Sequence, residues 1–142
     1  MGIKNFTVTT QRVKDKADGL IGYANYLNNE KAPSHKNTKI LNIGNNFDDF
    51  LKNTIINTMN FDNDNKKGGR KVESYAQSFN FILPPDVPNP THDQWKLIYK
   101  DLVLKAKTTL DIKGGTSQFA VSCYANIHDQ ANPHLNLLIP RI

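Results

Sequence analysis

The stretch that most restricts what this chain can become is its last one: Ile127-His128-Asp129-Gln130-Ala131-Asn132-Pro133-His134-Leu135-Asn136-Leu137-Leu138-Ile139. Asn132-Pro133 marks a turn, because proline fixes its own φ and pushes the residue before it out of the helical region. After the turn, His134 to Ile139 is apolar except for Asn136. Successive side chains of a strand alternate faces, so a strand here points His134 and Asn136 the same way. A strand over Phe119–Ile127 precedes the turn, with His128 closing it. If the two strands pair, His128, His134 and Asn136 converge on one point. Imidazole is the commonest protein ligand for transition metals, and an amide oxygen is a weaker, harder donor. The spacing is not that of a zinc finger and no Cys-x-x-Cys is present. Spacing alone therefore leaves the two histidines open between metal ligands and hydrogen-bonded residues near a turn.

Upstream, residues 3–12 alternate polar and apolar and predict a first strand. Gly19–Asn28 carries Leu20, Ile21, Tyr23, Ala24 and Leu27 at helical spacing. Asn28–Asn45 is polar, with a short strand possible at Lys39–Ile43. A second helix is expected over Asn46–Asn60, capped by Asn45 or Asn46. Glu73–Leu83 predicts a strand and Pro84–Pro90 a stiff connector. Thr91 opens a helix with Trp95, Ile98 and Leu102 on one side, extending to Leu110. Gly114-Gly115 leads into the closing strand pair, whose last strand is expected over Leu135–Ile139. Strands and helices that intermix and end in a hairpin predict an α+β fold, an antiparallel sheet with helices packed on it. No internal repeat is visible, and 142 residues are expected to form a single domain, 1–142.

Composition narrows the function classes. No apolar run is long enough to span a bilayer, and Met1-Gly2-Ile3-Lys4-Asn5-Phe6 has no signal-peptide core, so a cytoplasmic protein with no membrane partner is expected. A single cysteine, Cys123, excludes an intramolecular disulfide; it is expected mid-strand as a buried structural thiol. The net charge of +5 suits a polyanionic partner. The densest basic cluster, Lys66-Lys67-Gly68-Gly69-Arg70-Lys71, is either a DNA-contacting loop or a solvated one.

Against that background the closing segment, Ile127-His128-Asp129 through Asn132-Pro133-His134 to Asn136-Leu137, resembles the paired-strand signature of the HUH endonucleases. It is most similar to the MobA-type relaxases that mobilise plasmids. In that family a histidine, a short turn ending in Asn-Pro, and His-x-His on the next strand hold one divalent metal ion. Ala24-Asn25-Tyr26-Leu27-Asn28-Asn29-Glu30-Lys31 resembles the helix that carries the family's nucleophilic tyrosine. Ser78-Phe79-Asn80-Phe81-Ile82-Leu83-Pro84 resembles its central strand, and Thr91–Leu110 fits the helix that follows. The three blocks occur in the family's order. Two positions depart from its pattern: Asn136 stands where the third histidine is expected, and Asn80 where an acidic residue often lies.

The resemblance implies a five-stranded antiparallel sheet of ferredoxin-like HUH type, with the metal histidines on its two central strands. It implies a DNA nickase that acts at a single-stranded or hairpin site. Tyr26 is the expected nucleophile, with Tyr23, three residues earlier on nearly the same helical face, as the alternative. Attack of a phenolate on a phosphodiester gives a 5′-phosphotyrosine and a free 3′-OH, a reversible exchange. His128, His134 and Asn136 are the expected ligands of a divalent ion, Mn²⁺ or Mg²⁺, since an amide oxygen in place of an imidazole favours harder ions. His35 is a further candidate base or ligand if not a surface residue, and Asp129 a candidate partner that orients His128 if it does not face solvent. Tyr75, Tyr99 and Tyr124 are expected to be structural. The expected roles are plasmid mobilisation, rolling-circle initiation, or free-standing nicking by a mobile element or phage satellite that interferes with a competing genome. The two departures leave a different class open: an inactive HUH-type DNA-binding module. A metal-dependent RNase or phosphoesterase that forms no covalent intermediate is a third.

Overall fold

The computed structural model describes residues 7–29, 39–44, 46–84, 88–112, 114–115, 119–120, 122–129 and 133–141. The elements follow the order β1 (Thr7–Val13), α1 (Lys16–Leu27), β2 (Lys39–Gly44), α2 (Phe47–Asp64), β3 (Ala76–Ile82), α3 (His92–Thr109), β4 (Tyr124–Asp129) and β5 (His134–Pro140). All five strands form one sheet in the order β1-β3-β5-β4-β2, antiparallel at every neighbouring pair. The fold is α+β, a five-stranded antiparallel sheet with three helices packed on it, as the residue pattern predicts. β3 and β4 therefore run parallel to each other with β5 inserted between them, and α3 makes the crossover between them.

Alternation along the central strands explains the layers. Ala125 and Ile127 on β4, and Leu135, Leu137 and Ile139 on β5, face one side and are fully or almost fully buried. Trp95 and Val103 of α3 close this side into one apolar cluster. On the other side Tyr124 and Leu138, with Ala76 and Val13 of the neighbouring strands, pack against Leu20, Ala24 and Leu27 of α1 and Phe50 of α2. β5 lies at the middle of the sheet and is buried along both faces, whereas β1, at an edge, is exposed from Thr7 to Arg12.

Several boundaries differ from expectation, each for a local reason. α1 begins at Lys16, not Gly19, because Asp15 (φ 69°) and Lys16 (φ 52°) take left-handed conformations that turn the chain sharply out of β1. α2 runs a turn past Asn60 to Asp64; Asn46 is its cap, accepting from the Asp49 amide at 3.1 Å. α3 is opened by a capping box in which Thr91 accepts from the Gln94 amide and Gln94 accepts from the Thr91 amide. The strand expected over Glu73–Leu83 is trimmed to Ala76–Ile82, where β1 and β5 pair with it. The largest correction falls on residues 119–127. Phe119 and Ala120 are helical, Cys123 bonds back to the Ala120 carbonyl, and β4 starts only at Tyr124. Cys123 is buried, as expected, but precedes the strand instead of sitting within it.

Candidate functional site

Register builds the site. His128 pairs with His134 and Asn126 with Asn136 across the β4–β5 hairpin. Paired residues in an antiparallel sheet share a face. The two histidines and Asn136 therefore lie together on the α1 side of the sheet, as the alternation predicts. The imidazole centroids are 4.9 Å apart and the rings meet edge to face. His128 is 3% exposed and His134 half-buried, so the pair opens to solvent through His134.

The next row is wider than the sequence suggested. Asn42 pairs with Asn126, Asn126 with Asn136, and Asn136 with Asn80, so four asparagines on four neighbouring strands form one line. Thr9 of β1 continues it. Asn136 Nδ2 donates to Asn126 Oδ1 at 3.0 Å, and Asn80 Oδ1 is buried with no hydrogen-bond partner among the described residues. Buried carboxamides need partners, and alignment across the strands lets Asn126 and Asn136 partner each other within one layer. A slip of one residue would drive this row and the histidines into the apolar cluster beneath α3, so the polar rows also fix the register.

α1 lies over this face. It starts where Lys16 N–H donates to the Glu73 carbonyl, beside the Ala76 end of β3, and passes Ser78, whose Oγ is 2.8 Å from the Tyr23 hydroxyl. Its last residue ends above the histidine row. The Leu27 carbonyl lies 2.8 Å from His128 Nε2 and accepts from Asn126 Nδ2 at 3.0 Å. Tyr26, one residue before Leu27, is 43% exposed. The tyrosine helix and the histidine pair thus occupy one face and one end of the sheet. Tyr23 is committed to Ser78 as a packing residue, while Tyr26 belongs to neither apolar cluster.

The donor set can be tested against a divalent ion by the bonds its members already make. With Nε2–H directed at the Leu27 carbonyl, neutral His128 carries its lone pair on Nδ1, the arrangement in which a metal-ligating histidine is held by its other nitrogen. Asn136, donating through Nδ2, keeps its carbonyl oxygen as the ligand atom. The carbonyl end of α1 adds partial negative charge, which favours a cation. His128, His134 and Asn136 are thus compatible in chemistry with a divalent ion. Among the described residues no group of three or more His, Cys, Asp or Glu side chains gathers at one place.

Other candidates fall elsewhere. Asp129, next to His128, points to the opposite face and accepts from Asn89 Nδ2 at 3.0 Å, so it does not orient the imidazole. His35 lies outside the described residues. Lys66, Lys67, Arg70 and Lys71 form an exposed loop between α2 and β3, folded by Asn65 bonding the Lys67 amide and the Gly68 carbonyl, with Gly68 and Gly69 at positive φ. That loop leads into the Ala76 end of β3, whereas His134 pairs with Ile82 at its other end. Seven residues of β3 separate the two, roughly 20 Å at about 3.4 Å per residue. Tyr75 and Tyr124 are buried and Tyr99 partly so, the structural placement expected of them. Asn126, Asn42 and Asn28 were missed as site residues. Their one sequence signal is the alternation Tyr124-Ala125-Asn126-Ile127-His128, which mirrors His134-Leu135-Asn136 across the turn.

Comparison with known protein families, with curated proteins and with solved structures returns no match. Among the described residues, no helix is long and apolar enough to cross a membrane.

Proposed function

We propose that this protein is a metal-dependent DNA nickase of the HUH relaxase type, with Tyr26 as nucleophile and His128, His134 and Asn136 as ligands of a Mn²⁺ or Mg²⁺ ion. The observation that carries this reading is the position of α1: its last turn, bearing Tyr26, ends directly above the His128–His134 row. When bound, the ion would neutralise the scissile phosphate and polarise it. The chain supplies the rest. Tyr26 Oη forms a bond to phosphorus as the bond from phosphorus to O3′ breaks. The phenol gives up its proton and the 3′ oxygen takes one, so the number of phosphodiester-type bonds is conserved. His128 is held in one tautomer by the Leu27 carbonyl, which keeps Nδ1 as the ligand nitrogen. The basic loop around Lys66, Lys67, Arg70 and Lys71 lies far enough along the sheet to hold flanking phosphates of the same DNA strand, a contact that weakens with salt. The substrate would be DNA presented single-stranded or as a hairpin, in transfer, rolling-circle initiation or interference by a mobile element such as a phage satellite.

The test is conversion of supercoiled plasmid to open circle with Mn²⁺ or Mg²⁺, together with a covalent protein–DNA adduct that survives SDS. Both should disappear in Tyr26→Phe. Cleavage without an adduct would instead indicate a phosphoesterase.

One observation favours a second reading, an inactive DNA-binding module. His128 and Asn136 both hold partners within the protein, and the family's acidic position is Asn80, whose oxygen is buried. Tight DNA binding by the native chain with no nicking under any divalent ion would select that reading.

A further inference from the structure

The end of α1 is fastened to the sheet by directional bonds. Asn126, fully buried, directs Nδ2 at the Leu27 carbonyl (3.0 Å) and at Asn28 Oδ1 (3.3 Å). Its own Oδ1 accepts from Asn136 Nδ2 at 3.0 Å, which fixes the way the Asn126 carboxamide is turned. The Tyr124 hydroxyl lies 2.7 Å from Asn28 Oδ1, and also bonds Asn42. A phenol has one proton, so Tyr124 donates to one of these carboxamides and accepts from the other when that one presents its nitrogen. Asn28 Nδ2 closes the set by donating to the Ala24 carbonyl at 3.0 Å, within α1 itself.

The two Asn126 Nδ2 bonds, the Tyr124–Asn28 bond and the Asn28–Ala24 bond all involve the two residues that follow Tyr26. Tyr26 is 43% exposed and lies outside both apolar clusters. Leu27 anchors the turn by burial, but apolar contact is non-directional and tolerates rotation. The carboxamide bonds do not. We propose that Asn28 and Asn126 are positioning residues, which lock the height and rotation of the last turn of α1 and so hold Tyr26 over the His128–His134 pair. The inference rests on the nickase reading. Neither residue would touch DNA or metal; they act through the backbone that carries the nucleophile.

The experiment compares the native chain, Asn28→Ala and Asn28→Asp in single-turnover adduct formation on an oligonucleotide that the native chain cleaves. Asn28→Asp keeps both acceptor bonds, but it loses the donation to Ala24 and sets a carboxylate oxygen against that carbonyl. Misplacement by about 1 Å costs on the order of 100-fold in rate. Asn28→Ala should therefore slow adduct formation about 100-fold while oligonucleotide affinity stays within about twofold, and Asn28→Asp should recover at least about tenfold of that loss. Amide hydrogen exchange at residues 27–29 should speed up in Asn28→Ala. Tyr124→Phe, which removes one hydroxyl, replaces Asn28→Ala if that variant does not fold. A native rate in folded Asn28→Ala, or unchanged exchange at 27–29, overturns the inference and leaves the nickase reading standing. Absence of adduct from the native chain overturns the nickase reading and the positioning role with it, whatever the exchange shows.

Discussion

His128 Nε2 lies 2.8 Å from the carbonyl oxygen of Leu27, joining a buried candidate ligand to the residue next to the candidate nucleophile. A strand residue and a helix residue 101 positions apart in the chain thus share one bond. Its presence means that the position of the His128 ring and that of the last turn of α1 are set together.

Tyr26→Phe should abolish the SDS-stable adduct and leave stability within about 0.5 kcal/mol, since the ring is half-exposed and a surface change is usually that small. Tyr23→Phe should do the reverse. It removes the bond to Ser78 Oγ and should destabilise the fold by about 1 kcal/mol while nicking persists. Urea unfolding alongside the nicking assay separates them. An adduct formed by Tyr26→Phe but not by Tyr23→Phe would exchange their roles.

His128→Ala should lower stability by roughly 2–3 kcal/mol, because it removes a buried donor to the Leu27 carbonyl and leaves a void. His134→Ala, at a half-buried position, should cost under about 1 kcal/mol. Native chain with Mn²⁺ at about 100 times its Kd should gain about 2.7 kcal/mol, and His134→Ala should lose that gain. Melting with and without Mn²⁺ measures all of this; an equal Mn²⁺ gain in His134→Ala would remove that residue from the ligand set.

Two glycines of α1 should respond with opposite signs. A Cβ on Gly19 would sit 1.6 Å from the Lys14 carbonyl oxygen, a backbone atom with little room to give, so Gly19→Ala should destabilise by about 1–3 kcal/mol. A Cβ on Gly22 meets nothing within 4 Å, so Gly22→Ala should stabilise by about 0.5–1 kcal/mol through helix propensity. Denaturant midpoints decide, and a stabilised Gly19→Ala would mean that the turn between β1 and α1 is built differently.

Stability should fall at alkaline pH. Burial pushes the Cys123 thiol up from 9.0 to about 12, and burial pushes Tyr99 from 10.0 to about 12, with Cys123 adding to it. Burial also raises Tyr124 and Tyr75. In each case the folded state retains a proton that the unfolded state has lost, so ∂ΔG/∂pH is negative between the two values. The contribution is complete below pH 9 and lost progressively toward pH 12. Cys123→Ala and Tyr99→Phe should flatten that decline in urea midpoints taken from pH 8 to 11. At pH 8 Cys123 should resist a thiol reagent until the protein is unfolded; rapid labelling of folded protein would contradict its burial.

The closing hairpin shows how much of the candidate site was legible. Alternation put His134 and Asn136 on one face, because a two-residue period is a local property of an extended backbone, while Asn132 of the expected turn lies outside the described residues. Residues 119–123 misled for the same reason: Phe-Ala-Val-Ser-Cys favours strand locally, yet Phe119 and Ala120 are helical and Cys123 bonds back to the Ala120 carbonyl, leaving β4 to start at Tyr124 opposite Leu138. Strand preference is weak against the pairing that a sheet offers.

What the residues determined by themselves was the list of elements other than β2, which they left open, their amphipathic faces, and Tyr26, His128, His134 and Asn136 as candidate site residues. Tertiary structure alone decided that β5 lies in the middle, that Asn42, Asn126, Asn136 and Asn80 form one row, and that α1 comes down above the histidines. Those choices match distant segments by burial and hydrogen-bond complementarity, and neither is encoded in any short window of the chain.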